Sequence, residues 1–570
     1  MKKKILFMSM LASLLMTGCS QDEVVPVEGG GTDGNGETNT SYIAVNLVSS
    51  DVIGSRAATG YEDGSEKENA VKNVRFYFFN GLGGAVNVKL HNDSKVNYYD
   101  WTPAEGDQTR PEDSDDIESK LKATIVINTE KGDEIPQRIA AVLNPDWDEN
   151  SSKSLTDLKA IVKDYATADL TSEGGKFVMF NSVGGDGKDL SSTLIGDKNL
   201  CKSKDDAIKN PVTIYVERSV AKVRVTLDSK LGINENNLLA LKDKDGKDLK
   251  IGNEQVYLKL EAWDLTAETD QSRLVKKINP VWEGNWWYTS YRSFWAINST
   301  TAKNNYYPYD DTGIVAQFGE NNALYTNENA QQTGIDGKPI GPADKHTKFI
   351  IKGKLCKADG SAFTIVRHLG VYFADDNNQT NLKKSILNQL AANGSNFYYD
   401  ETKVVGETSQ TERKQIDVDD LQIVVVDPIL NEESDNNCYV CAQLTPTAAG
   451  KTWYESLTDE SPIEKGGDVI NNILKYKKDK ENKIDKALIW KSGMTYYYNE
   501  IKHLNNEIGV VRNHIYEINL TKIAGLGTPV YDPTQVIYPE QPKGNNHYMA
   551  AEINILSWRV VNNDYPLVWN

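Results

Sequence analysis

SYIAVNLVSSDVIGSRAA, residues Ser41 to Ala58, begins as a β-strand and ends in a loop. Ile43, Val45 and Leu47 alternate with Ala44, Asn46 and Val48, which sets a mostly apolar row on one side. Ser, Asp and Gly follow, and then Arg56, the first arginine in the chain. A strand tied on by a small-residue loop with one basic residue reads as a removable piece of a sheet. Tyr548 to Val561, YMAAEINILSWRVV, repeats the pattern near the other end and is suited to fill such a gap. Met549, Ala551, Ile553 and Ile555 share one face there, and the row then slips to Leu556, Trp558 and Val560. A one-residue slip changes face unless a bulge absorbs it.

A chain of 570 residues is too long for one core and implies two domains with insertions. Short runs rich in Tyr, Trp, Val, Ile and Thr, separated by Asn, Asp, Gly and Lys, favour an all-β fold. The net charge of −18 argues against nucleic acid as a partner, since no basic stripe offers itself to phosphates.

Lys2, Lys3 and Lys4 precede the apolar run Ile5 to Met16, which ends in Thr17-Gly18-Cys19. This describes a secretory signal over residues 1–18, too short for a permanent span. A cysteine directly after Thr-Gly looks like a bacterial lipobox, which implies cleavage before Cys19 and acylation of its thiol. Cys201, Cys356, Cys438 and Cys441 are too few and too scattered for a disulfide framework. Cys438 and Cys441 sit in a run of strand composition, where residues three apart lie roughly 10 Å from one another and face opposite ways. No second such pair completes a zinc site, and no metal or cofactor is expected.

Ser20 to Thr40 is a polar tether. Strands are expected at Val71–Asn80, Ala123–Asn128, Arg138–Asn144 and Phe177–Phe180, with a helix over Leu155–Tyr165. Val212 to Leu227, VTIYVERSVAKVRVTL, reads as one strand passing from a first domain (57–220) into a second (221–523). The second domain offers Val256–Leu265, Lys348–Leu355, Phe363–Phe373, Leu421–Val426, Cys438–Leu444, Met494–Tyr498 and His514–Lys522, with polar insertions at Asn298–His346 and Asp375–Asp420. Two β-sandwiches with small helical insertions fit this order, with no internal sequence repeat. Prolines and glycines make Ala524–Asn546 an extended linker, so that 524–570 reads as an arm ending in a strand.

VERSVAKVRV (Val216–Val225), GVVRNHIYEINLTKIAGLG (Gly509–Gly527) and EINILSWRV (Glu552–Val560) resemble the Bacteroidales fimbrillins, most closely the major subunits of the minor, Mfa-type fimbriae. The Cys19 lipobox and the Ser41–Ala58 segment fit at matching places, whereas the second domain's insertions do not align. The resemblance implies two transthyretin-like sandwiches and export as a lipoprotein to the outer membrane. It implies cleavage between Arg56 and Ala57 by an arginine-specific or trypsin-like surface protease, with residues 19–56 lost. The displaced strand carries Ile43, Val45 and Leu47, and a donor strand carrying Met549, Ile553, Ile555, Leu556, Trp558 and Val560 replaces it. Subunits of this family form a type V pilus by donor-strand exchange, so the implied partners are other copies of the chain and accessory and anchor subunits. Host glycans or proteins are further candidate partners.

Removing a strand leaves unpaired backbone over an apolar floor, and an arriving strand restores the ladder while burying side chains worth roughly 1.5–3 kcal/mol each. A head-to-tail contact that does not close yields a filament.

Catalysis has little support. The histidines His91, His346, His368, His503, His514 and His547 stand singly, and no nucleophile motif surrounds them. Gly81–Gly84 and Gly184–Gly187 read as hairpin turns rather than phosphate loops. Asp243–Asp248 departs from the EF-hand spacing and reads as a polar hairpin. The aromatic cluster Trp282–Trp295 stands open between core and an adhesive, sugar-stacking patch. A monomeric surface lipoprotein that binds glycan, or an accessory or tip subunit, is the alternative to a polymerising one.

Overall fold

The structure, a computed structural model, describes residues 39–50, 64–538, 548–556 and 561–563, less 278–302 and shorter internal stretches such as 110–116, 168–175, 182–190, 334–338, 341–345, 427–438, 476–483 and 504–507. The described chain is mostly β, divided among several sheets.

A nine-stranded sheet occupies the N-terminal part, with Asn39–Ser50 between Val212–Arg218 and Ile117–Thr129. Val74–Phe79 and Arg138–Leu143 lie further along it. Ile43, Val45, Phe76, Ile125, Ile139 and Ile214 meet in one core, so the sheet curls around it. Every residue of Val74–Phe79 is buried, because the strand is covered on both faces. Tyr77 and Phe79 point away from that core, toward Leu155, Leu158, Val220 and Ile515.

The expected single strand Val212–Leu227 is two strands. Val212–Arg218 ends in the first sheet, Ser219 intervenes, and Val220–Leu227 enters a second sheet. There it pairs in parallel with Ile515–Ala524 and antiparallel with Leu324–Asn327. A facing sheet is built on Tyr257–Thr266, Lys348–Cys356 and Met494–Glu500, and Val223, Trp263, Phe349, Tyr497 and Ile518 fill the space between. The two parts share a plan that the sequence did not reveal as a repeat. In each, the opening strand is parallel to the closing strand on one side and antiparallel to a third strand on the other.

Between Cys356 and Met494 lies a further core. Phe363–Phe373, expected as one strand, is a hairpin of Ile365–His368 and Val371–Ala374. Leu369 (φ 53°) and Gly370 (φ 77°) turn it, both with positive φ as a two-residue type I′ turn requires. The expected polar insertion at Asp375–Asp420 holds a helix, Thr380–Ala392, which buries Leu382, Ile386 and Leu390. A second hairpin, Tyr398–Val405 with Thr408–Gln415, follows it.

Two other expectations are corrected. The helix at Leu155 stops at Ala160, because Ile161 is already extended and Val162–Lys163 pairs with Ser272–Arg273. Its start is fixed by a capping box between Ser154 and Asp157. The expected linker after Ala524 is packed as far as Tyr538. Thr528–Pro529 adds to the end of Met494–Glu500, and Leu526, Val530 and Ile537 are buried. Prolines there mark an edge strand, which needs fewer donors, rather than a free arm.

Candidate functional site

The first strand, Asn39–Ser50, is held on both sides. Val45 to Ser49 run parallel to Val212–Val216, and Asn39 to Ser50 run antiparallel to Thr129–Ile117. Ile43 and Val45 are fully buried and Ala44 nearly so. Leu47 is placed by its backbone, opposite Ile214 and Leu121. Ser49 stands opposite Val216, so the strand leaves the sheet close to Arg218.

Arg218 also meets the point where the chain resumes. Its Nε donates to the Glu68 carbonyl at 3.1 Å, and its Nη2 donates to Asn69 Oδ1. Both ends of the 51–63 stretch, which holds Arg56, therefore come to the same end of the first sheet. A cut within that stretch separates the strand from the rest of the chain.

A seam of buried polar groups joins the two parts around this point. The Glu68 carboxylate takes the Lys222 ammonium at 3.0 Å and the Tyr325 hydroxyl at 2.6 Å, both from the second sheet. Lys276 Nζ lies 2.9 Å from Glu217 Oε2, with both side chains essentially inaccessible. Arg512 donates to both oxygens of Glu328 and, through Nη1, to the Leu274 carbonyl at 2.8 Å. Burial alone would lower the Arg512 pKa, but the charges of Glu328 and Glu217 outweigh it and raise the value.

Such pairs resist the loss of one member, which strands the other charge. Lys276→Met is therefore expected to cost about 3–5 kcal/mol, and Lys276→Met with Glu217→Met much less. Denaturant midpoints of the two variants check this.

Glu68 carries a pH dependence of definite sign. Burial by itself would raise its pKa, but the Lys222 charge and the hydrogen bonds from Tyr325 and Ser65 hold it below its ordinary 4.5. A depressed carboxyl contributes stability that is complete above the ordinary value and is lost as the pH falls through the native one. Glu68→Gln is expected to flatten the acid limb of stability against pH, read from denaturant midpoints at successive pH values.

The histidines are single in sequence but not all so in space. His346, His368, His503 and His514 are buried, and the rings of His503 and His514 lie edge to face at 5.1 Å. The Val511 N–H donates to the Tyr516 oxygen, and Tyr516 Oη lies 2.8 Å from His503 Nδ1. His514 Nδ1 lies 2.8 Å from the carbonyl of the seam residue Arg512, whereas His368 Nδ1 lies 2.8 Å from Ser385 Oγ, away from the seam. The one sequence signal for the seam was charge interrupting apolar runs, as in VERSVAKVRV and VVRNHIYEI.

The last long strand, Tyr548–Leu556, pairs antiparallel with Ala524–Ile515 in the chain's own second sheet. Met549 stands opposite Ile523, Ile553 opposite Ile518, Ile555 opposite Tyr516 and Leu556 opposite Ile515. The bulge falls between Leu520 and Lys522 on the partner strand. The expected strand does not run on to Val561. It ends at Leu556 and returns as Val561–Asn563, which pairs with Ile555–Ile553.

Trp558 and Val560 lie outside the described residues, as do Cys19, Arg56, Ala57, Cys438, Gly184–Gly187 and Trp282–Trp295. Asp243–Asp248 is a polar turn, with Asp243 Oδ1 accepting from the backbones of Asp245 and Lys247. Among the described residues, no group of three or more His, Cys, Asp or Glu is placed to hold a metal ion, and no helix is long and apolar enough to cross a membrane. Cys201 and Cys356 are free thiols.

No family model and no curated protein matches the chain. Among solved structures it is similar to a candidate cell-adhesion protein from Parabacteroides distasonis, at 10% identity over 94% of this chain and 99% of that one, with a TM-score of 0.35. A candidate cell-adhesion protein from Bacteroides eggerthii gives 12% identity over 93% and 98%, with a TM-score of 0.33. A fimbrial assembly protein from Parabacteroides distasonis gives 11% over 67% and 100%, with a TM-score of 0.30. Superpositions this loose do not establish a shared fold.

Proposed function

We propose that this chain is a cell-surface subunit of a fimbrial or adhesive assembly, made as a lipoprotein acylated at Cys19 and cut after Arg56. The observation that carries the reading is the placement of Asn39–Ser50. It is an interior strand of its sheet with Ile43 and Val45 in the core, yet a cut in 51–63 frees it. Its departure opens a slot between Val212–Arg218 and Ile117–Thr129 that only another strand restores. In the polymerising form, a neighbouring copy's Met549–Val560 segment enters the slot, and the two parts serve as transthyretin-like sandwiches in a pilus on the outer membrane. Its partners are then further copies, accessory and anchor subunits and the processing protease.

The pairing of Tyr548–Leu556 within its own sheet favours a second reading. A subunit that keeps its last strand at home receives a strand but donates none. It then serves as an accessory or terminal subunit, or as a monomeric surface lipoprotein that binds glycan or a host protein.

The test is brief trypsin treatment of the purified protein starting at Cys19, followed by an unboiled detergent gel and N-terminal sequencing. A single early cut after Arg56 with a ladder of resistant oligomers supports exchange. A clean cut without a ladder supports the second reading. No cut after Arg56 removes the processing step from both.

A further inference from the structure

Residues 65–69 form a compact turn between the 51–63 stretch and the strand Val74–Phe79. Ser65 Oγ accepts from the Glu68 backbone, the Ser65 backbone donates to the Glu68 carboxylate, and Asn69 N donates to Ser65 O at 3.0 Å. The turn is polar, yet Glu68 is only 2% exposed. Its carboxylate is held entirely by groups of the second sheet and by the turn itself. Its carbonyl and the Asn69 side chain are held by Arg218, at the end of the first sheet's closing strand. Arg218 in turn reaches Asn513 Oδ1 at 3.2 Å, and Tyr325 packs its ring against Phe177 of the first part at 4.9 Å. None of these groups belongs to the first strand.

We propose that the Ser65–Asn69 turn is a retaining anchor: it staples the two sandwiches to each other and keeps the chain's N-terminal end at the seam when the first strand is gone. Its role as a staple stands on the contacts alone. Its role after strand release rests on the proposed cut at Arg56.

Glu68 would then be the twelfth residue of a chain that begins at Ala57, so the new terminus is tethered beside the end of the slot near Arg218. A buried charge already paired does not leave readily, because departure strands the Lys222 ammonium. The anchor therefore separates two events that the covalent chain joins. The first strand is released, and the seam is not disturbed.

Hydrogen exchange on the full chain tests the staple without any cut. Glu68→Gln is expected to speed exchange over 65–70 about tenfold or more, while Ile515–Ala524 keeps its protection. Should that variant fail to fold, Tyr325→Phe removes one hydrogen bond, keeps the ring, and is expected to give a smaller acceleration in the same segment. Unchanged exchange over 65–70 in the folded variants overturns the proposal.

Trypsin provides the second arm. The nicked wild-type chain is expected to keep Ala57 as its terminus although Lys67 is exposed, whereas Glu68→Gln is also cut after Lys67, leaving position 68 as its terminus. Wild-type trimming at Lys67 as fast as at Arg56 also overturns the anchor. Failure of trypsin to cut at Arg56 counts against the processing reading, and the exchange arm still decides the anchor.

Discussion

Val45→Asp is expected to unfold the first sandwich, at a cost of roughly 3–5 kcal/mol for a carboxylate placed where no partner stands. Val45 is fully inaccessible and packs with Ile125 and Ile214 from the strands on either side. The substitution adds a desolvation penalty to the lost burial, and it does so in an interior strand rather than at an edge. Val126 on the neighbouring strand is partly exposed, so Val126→Asp is the matched control and should move stability by about 0.5 kcal/mol or less. Denaturant unfolding, together with proteolysis mapped to residues 64–218, reads the effect. The same change in a synthetic peptide of Asn39–Ser50 should abolish its capture by the nicked protein. Equal stability of Val45→Asp and Val126→Asp would remove the claim that this strand completes the core.

Deletion of Tyr548–Asn570 has the next largest expected effect. Nine residues of that segment pair with Ile515–Ala524, and that partner strand carries Ile515, Tyr516, Ile518 and Leu520 into the core. Loss of the pairing exposes its backbone edge, and the melting temperature is expected to fall by roughly 10 °C. The size of the fall also bears on the two functional readings. A strand that belongs to its own sheet is missed in the isolated subunit, whereas one kept spare for a neighbour is not. An unchanged melting temperature with loss of the oligomer ladder would favour donation.

Much of the strand order was legible in the sequence because the core strands alternate or run wholly apolar. Asn39–Ser50, Val74–Phe79, Lys348–Cys356 and Ile515–Ala524 stand where their composition suggested. Glu217-Arg218-Ser219 interrupts the apolar pattern where the two domains were expected to meet, but that the run is two strands was not legible, because the alternation resumes at once on the far side. Only the change of hydrogen-bonding partners divides the run into two sheets. The packing of Leu526–Tyr538 was hidden for the opposite reason, since its prolines and glycines imitate a linker while Leu526, Val530 and Ile537 supply the contacts. Glu68 was illegible as well. Nothing in a polar stretch predicts that one carboxylate will be drawn between two sheets. Its partners Lys222 and Tyr325 are 154 and 257 residues away, and only the tertiary fold brings them together.

Because Val212–Leu227 runs through both sheets, broken only at Ser219, it has a mechanical consequence. Tension applied along it passes from one sheet to the next through the covalent backbone rather than through a surface contact. In each sheet this strand has neighbours on both sides. A pull along its axis loads their hydrogen bonds together, in shear, rather than one after another as in peeling an edge. Under load, endurance depends on the rate of unfolding. A chain laid out in this way resists extension along one direction far better than it resists being unzipped from its last strand.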